Sequence, residues 1–231
     1  MPLDVVIPTL NAAGPLPATL KSLAPGRDEG LVKRIIVSDG GSQDETVAIA
    51  AAAGCVIVTG RRGRGAQLQA GADAAVSAWI LFLHADTILS RGWAQEAQSF
   101  TVGAEKEGAT RAKAAVFTFV LDDASRWARI LETLVSVRVS LFALPYGDQG
   151  LLISRELYQS VGGFRPLSLM EDVDFIRRIG RKRLCMLSSR AITSAERYRR
   201  AGYLRRMTRN IICLGMFFLG VSVERVAKFY G

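Results

Sequence analysis

The chain reads as an α/β protein built on a mostly parallel sheet flanked by helices, with a basic helical segment at its C-terminus. Three observations carry that expectation. Short β-branched runs alternate with alanine-rich stretches of helical length through the first hundred residues, as crossover helices joining parallel strands require. The runs are apolar nearly throughout, the pattern of strands covered on both faces. The 231 residues are 49% hydrophobic and 22% charged, which suits a buried core in one large domain or two small ones.

The elements follow in order. Leu3–Ile7, Arg34–Ser38, Cys55–Thr59 and Trp79–Leu83 read as strands, each closed by a turn signal, with helices near 15–24, 44–53 and 65–77 between them. Ser42 and Glu45 stand three apart before the second helix and match a capping box, with Ser42 at the N-cap. That places Asp39, Gly40 and Gly41 in a strand-to-helix loop at the carboxyl edge of the sheet, where open α/β sheets bind ligands. A helix near 92–100 precedes a charged, glycine-containing loop over 103–111. Ala114–Leu121 is a strand, 124–142 a long helix, Gly150–Ser154 a short strand and Glu156–Val161 a helical turn broken by Gly162 and Gly163. Glu171–Ile179 is helical, and the basic remainder is read as mostly helical. The preferred partition is a domain over 1–195, with halves 1–100 and 101–195, and a C-terminal segment 196–231.

The net charge of +9 calls for an anionic partner: nucleic acid, an anionic membrane surface or a phosphorylated substrate. Cys55, Cys185 and Cys213 are odd in number and far apart, which argues against a disulfide framework or structural zinc. The N-terminus has no signal-peptide pattern, and the chain is expected in the cytoplasm. The longest apolar stretch, Ile211–Val223, is shorter than the roughly 20 residues that span a bilayer.

Several segments can carry chemistry, and each also has a plain structural reading. Asp39-Gly40-Gly41-Ser42 offers a carboxylate for a ribose or base and a helix start for an anion, or is simply a turn. Arg61-Arg62-Gly63-Arg64-Gly65 suits a diphosphate or a solvated basic loop; Leu68 interrupts the dinucleotide fingerprint. His84-Ala85-Asp86 ends an apolar strand with two groups of the same side-chain parity, able to bind a divalent metal or to cap the next helix. His84 is the only histidine. Glu171 and Asp172 open a helix, where acidic residues are favoured by the dipole and where one can also serve as a general base. Tyr146, Asp148 and Gln149 lie in a glycine-flanked loop able to meet a polar acceptor.

Taken in order, these segments resemble family 2 glycosyltransferases of the GT-A fold. Val5–Asn11 looks like the family's opening strand, Val37–Ser42 like its nucleotide-binding aspartate loop, and Gly63–Gln67 like a loop near the diphosphate. His84-Ala85-Asp86 stands where many members have Asp-x-Asp. Gly162-Gly163-Phe164 followed by Glu171-Asp172 is similar to the acceptor-side motif. His84–Thr87 and Gly147–Gly150 resemble a compact bacterial subgroup with His-Ala-Asp-Thr and Gly-Asp-Gln-Gly.

The resemblance implies an inverting transfer of a sugar from a nucleotide-sugar, UDP-linked before GDP-linked, to a hydroxyl acceptor. It implies Pro8, Thr9, Asn11, Asp39, Gly40 and Arg64 at the nucleotide, and Asp86 with His84 at Mn²⁺ or Mg²⁺. It implies Asp172 as base, and Tyr146, Asp148, Gln149 and Glu171 at the acceptor. With histidine in place of an aspartate the site has one negative charge fewer, so Asp86 is expected to be essential and His84 modulatory.

Arg177–Arg209 holds 12 arginines and lysines against one acid, Glu196. Beside the apolar stretch that follows, this suggests peripheral contact with the inner face of a membrane and a lipid-linked acceptor, or a helix packed on the catalytic domain or on a second subunit as a homodimer. Two other readings compete. A nucleotidyltransferase lacks its glycine-rich basic N-terminal loop here. A non-catalytic nucleotide-binding or nucleic-acid module is permitted by charge, but no aromatic-basic RNA motif or zinc finger is present.

Overall fold

Valine and isoleucine fill the first strand, β1 (Leu3–Thr9), on both faces, and its residues from Leu3 to Ile7 are buried. Such a strand can sit only inside a sheet with cover above and below. The computed structural model, which describes residues 1–106 and 114–230, places it there. β2 (Val32–Asp39) and β4 (Trp79–Phe82) flank it in parallel, and β3 (Val56–Thr59) extends the edge beyond β2. The intervening helices are α1 (Leu16–Ser22), α2 (Ala24–Asp28), α3 (Thr46–Ala52) and α4 (Arg64–Ala74).

The second half completes an eight-stranded sheet. β5 (Thr87–Leu89) and α5 (Trp93–Lys106) come first, then β6 (Ala114–Leu121), α6 (Arg126–Phe142), β7 (Leu151–Ser154) and α7 (Arg155–Ser160). α8 (Glu171–Ile179) and β8 (Leu184–Thr193) follow, and α9 (Glu196–Ala201), α10 (Tyr203–Phe218) and α11 (Val223–Tyr230) end the chain. The strand order is β3-β2-β1-β4-β7-β6-β8-β5. β7 runs antiparallel to both β4 and β6, and β5 antiparallel to β8. The expected mostly parallel sheet is present, with these reversals confined to its second half.

One core lies on each face of the sheet. Leu3, Val5, Ile7, Leu81, Trp93 and Phe117 belong to one, and Val6, Ile36, Phe82, Phe164 and Phe175 to the other. The odd and even residues of β1 divide between them, as a period of two dictates. A smaller cluster joins Phe119 to Leu131 and Val135 of α6.

Four expectations need correction. β8 was read as part of a mostly helical remainder. Its polar residues mask it, yet Leu187, Ala191 and Thr193 are buried while Ser188 and Arg190 are exposed, an alternation that belongs to a strand. β5 was not foreseen at all. The capping box does not form: Ser42 Oγ donates to Asp39 Oδ1 and accepts from Asn11 N, and α3 starts later, at Thr46, after Asp44 accepts from Thr46 N. Of the loop expected over 103–111, residues 103–106 instead complete α5, and 107–111 lie outside the described residues.

Candidate active site

The carboxyl ends of β1 and β4 open on a cleft whose wall is set by two backbone turns. β4 stops at Phe82, and Thr87 N donates to His84 O, so His84, Ala85 and Asp86 form a turn. The same-parity argument for His84 and Asp86 therefore does not apply, because the strand has ended. The turn still brings both side chains to the same place. They line two adjoining cavities together with Arg64 and Arg197.

The first cavity, of about 380 Å³, is walled by Pro8, Thr9, Asn11, Arg62, Arg64 and Gln67. Its floor is held by side chains hydrogen-bonded to backbone. Gln67 Nε2 donates to Thr9 O at 2.6 Å and to Ser38 O at 2.9 Å. Gly40 packs close against this amide, since a Cβ there would lie 3.0 Å from Gln67 Nε2. Asn11 adopts φ +50°, and its Oδ1 accepts from Gln43 N. Asp39 is 2% exposed, and its carboxylate accepts from Thr9 Oγ1, Ser42 Oγ, Gly41 N and Ser42 N. Burial, the largest single effect, raises it, but the four bonds together outweigh burial and hold it below the usual carboxylate range. A carboxylate has about four lone-pair sites, so Asp39 is saturated inside its own loop and does not line the cavity.

The second cavity lies across Asp86, beneath the start of α8. Tyr146, Asp148, Glu171 and Asp172 line it. Gly147 N donates to Asp172 Oδ2 at 2.9 Å, which fixes the carboxylate against the Tyr146–Asp148 turn. A Cβ on Gly147 would lie 2.6 Å from His84 Nε2, so that turn and the imidazole are packed as one unit. Glu171 is 2% exposed; its Oε1 has no hydrogen-bond partner and stands 3.5 Å from Arg64 Nη1. Burial, reinforced by Asp172 and opposed by Arg64, raises Glu171 to about 7. Burial likewise raises Asp148 to about 6. Burial first, then Arg64 and Arg197, push His84 well below the usual histidine range, so its imidazole is neutral.

Gln149 is a correction. It is 1% exposed, and its Nε2 donates to Phe117 O beneath the turn. Gly150, at φ +63°, reverses the chain there, and Gln149 lines neither cavity. The structure adds residues that were not singled out: Thr193, Arg197, Tyr198, Arg206, Asn210 and Tyr230 all line the second cavity. They come from the end of β8 and from the basic C-terminal helices. The pairing of β8 with β5 brings them beside Asp86, where Ser194 N donates to Asp86 O.

Two further facts bound the chemistry. Among the described residues, no group of three or more histidine, cysteine, aspartate or glutamate side chains is placed to hold a metal ion. Among them also, no helix is long and apolar enough to cross a membrane.

Residues 4–102, which hold β1 to β4 and most of the first cavity's wall, match the family model described as glycosyl transferase family 2. That segment, less than half of the chain, is similar to the family. No curated protein sequence matches the chain. Among solved structures, the chain is similar to glucosyl-3-phosphoglycerate synthase from Mycobacterium tuberculosis. The form crystallised with Mn²⁺, UDP and glucosyl-3-phosphoglycerate aligns at 24% identity and a TM-score of 0.63, over 96% of this chain and 81% of that one. The form with Mn²⁺, UDP-glucose and phosphoglyceric acid aligns at 22% identity and a TM-score of 0.62, over 96% and 80%. The form with Mg²⁺ and UDP aligns at 24% and 0.63, again over 96% and 80%. At these identities the likeness is one of fold, and it extends beyond residue 102, through the second half of the sheet.

Proposed function

We propose that the chain is a glycosyltransferase that moves a sugar from a nucleotide-sugar, UDP-linked before GDP-linked, to a hydroxyl acceptor with inversion. Asp172 is the general base. The observation that carries the reading is the meeting of two cavities at Arg64, His84 and Asp86, with Asp172 on the side away from the nucleotide loop. The first cavity takes the nucleotide against Pro8, Thr9, Asn11 and Arg64. Asp39 and Gly40 shape its floor from below. The second takes the acceptor against Tyr146, Asp148 and Glu171. UDP and UDP-glucose in the mycobacterial structures support the choice of donor.

Asp172 Oδ2, held by Gly147 N, accepts the acceptor's hydroxyl proton. The acceptor oxygen then forms its bond to the anomeric carbon as the bond to the diphosphate oxygen breaks on the opposite face. General base catalysis of this kind contributes about 10²–10⁴-fold. Arg64, at the N-terminus of α4, faces the departing diphosphate with a guanidinium and free helix amides.

A divalent metal fits the donor set in part. Asp86 supplies a carboxylate and His84 a neutral imidazole, fewer than three protein ligands, which suits an ion completed by phosphate oxygens and water. When bound, such an ion, Mn²⁺ before Mg²⁺ because of the imidazole, would supply positive charge to offset that of the diphosphate. The packing of His84 Nε2 against Gly147 supports Asp86 as the principal ligand. Residues 1–195 form the catalytic domain, and 196–231 a wall of the acceptor cavity with peripheral membrane contact.

Calorimetric titration of UDP and GDP, each with and without Mn²⁺, tests the reading on wild type and Asp86→Ala. Metal-dependent UDP binding that disappears in the variant is expected. Absence of nucleotide binding in every condition would overturn it.

A further inference from the structure

The acceptor cavity does not end at Asp172. Beyond Tyr146 it continues into a third cavity of about 550 Å³ between α6 and α10, within the size range of small-molecule sites. Tyr146, Asp148, Tyr198 and Asn210 line both. The third cavity is otherwise apolar: Phe119, Leu131, Leu134, Met207, Ile211 and Phe218 form most of its wall. Its remaining polar residue, Arg138, stacks 3.5 Å over the Tyr146 ring, and its Nη2 has no hydrogen-bond partner. Asp148 Oδ1, at the same junction, also has none.

The lining is thus divided. Polar groups with unmet hydrogen-bonding capacity stand where the groove joins the reaction cleft, and hydrocarbon lines the rest. At the outer side Leu134, Ile211 and Phe218 are 49%, 68% and 46% exposed. Leu134 belongs to a row on α6, Trp127, Ile130, Leu134, Val137 and Leu141, spaced three and four apart and all at least 40% exposed. Hydrating an apolar groove of this character costs free energy that an aliphatic chain would recover.

We propose that the acceptor is an amphiphile, a hydroxyl-bearing head on an aliphatic chain, and that the chain lies between α6 and α10. The assignment rests on reading the cleft as the acceptor side of a glycosyltransferase. Asp148 and Arg138 receive the polar head near Asp172, and the chain runs outward past Leu134 and Ile211. A free sugar or a small phosphorylated acid leaves this groove unused, so acceptor choice is set by the chain as well as by the head.

The test is equilibrium binding of n-octyl and n-decyl β-glucoside below their micellar concentrations, with glucose as the head without a chain. Wild type is compared with Leu134→Gln/Ile211→Gln, two exposed positions, and with Leu141→Gln, on the exposed row outside the groove. Burial of each methylene tightens binding about fourfold, so decyl, two methylenes longer, is expected to bind about 16-fold tighter than octyl, and glucose not measurably. The double variant is expected to weaken decyl binding at least about 10-fold, with Leu141→Gln unchanged. Chain-length independence, equal binding by the double variant, or no saturable binding overturns the proposal. So does sedimentation as a dimer by wild type and as a monomer by the double variant, which assigns the groove to a second copy. UDP titration with Mn²⁺ on the same proteins separates the two readings: loss of nucleotide binding throughout sinks the donor site and leaves the groove result standing.

Discussion

Glu171 carries a measurable signature of the cleft in the absence of any ligand. Its carboxyl is 2% exposed, one oxygen is unpartnered, and Asp172 follows it in the chain, while Arg64 at 3.5 Å offsets only part of the cost. Burial and the like charge raise it from 4.5 to about 7. The folded state therefore holds a proton between those values that the unfolded chain has released. Its contribution to stability is complete below about pH 4.5 and is lost as pH rises through about 7. The full shift corresponds to about 3 kcal/mol, or about 6–12 °C in Tm for a chain of this length. Glu171→Gln removes the titration. Urea or thermal unfolding of both proteins from pH 4.5 to 8.5, without nucleotide or metal, should show the variant gaining relative to wild type as pH rises. A difference that stays flat with pH would refute the assignment of an uncompensated buried carboxyl.

Three further outcomes are expected. Asp172→Asn should lower kcat about 10²–10⁴-fold with KM for donor little changed, as loss of a general base requires; steady-state kinetics with varied donor reads it. Gly147→Ala places a methyl against His84 Nε2 and should cost about 1–3 kcal/mol by overpacking, measured by denaturant unfolding, with activity falling further because Asp172 is held by the same turn. Asp86→Ala should abolish Mn²⁺-dependent UDP binding, while His84→Ala retains weakened binding; equal and complete loss in both would show that the imidazole is an obligate ligand.

The first four strands and the loops that follow them were legible because they are local. Valine and isoleucine runs covered on both faces, and glycines at turns, declare themselves within a few residues. The proposed nucleotide side of the cleft is assembled from those same loops; Arg64 could be named from its basic loop, whereas Thr9 and Asn11 were named only through the family resemblance. Asp39 shows the limit of that reading. The sequence places it in the loop, but not the inward turn by which Thr9, Ser42 and Gly41 consume its oxygens.

The second cavity, the proposed acceptor side, was only half visible. Tyr146, Asp148, Glu171 and Asp172 lie near glycine breaks and a helix start, which are local signals. Gln149 carries the same signals and yet faces Phe117, because the rotation of a turn is set by its packing. Arg197, Tyr198, Arg206, Asn210 and Tyr230 gave no signal beyond a basic, apolar tail. Their place in the cleft depends on β8 lying between β6 and β5, a non-local pairing of a strand whose polar residues hide its period. By itself the sequence determined the α/β class, the nucleotide-side loops and the pair of carboxylates opening α8. The tertiary structure decided which side chains face the cleft and which face the core, and it joined the cleft to a groove between helices distant in the chain. Periodicity reports how each segment is buried, while the partner that buries it is fixed only when the sheet closes.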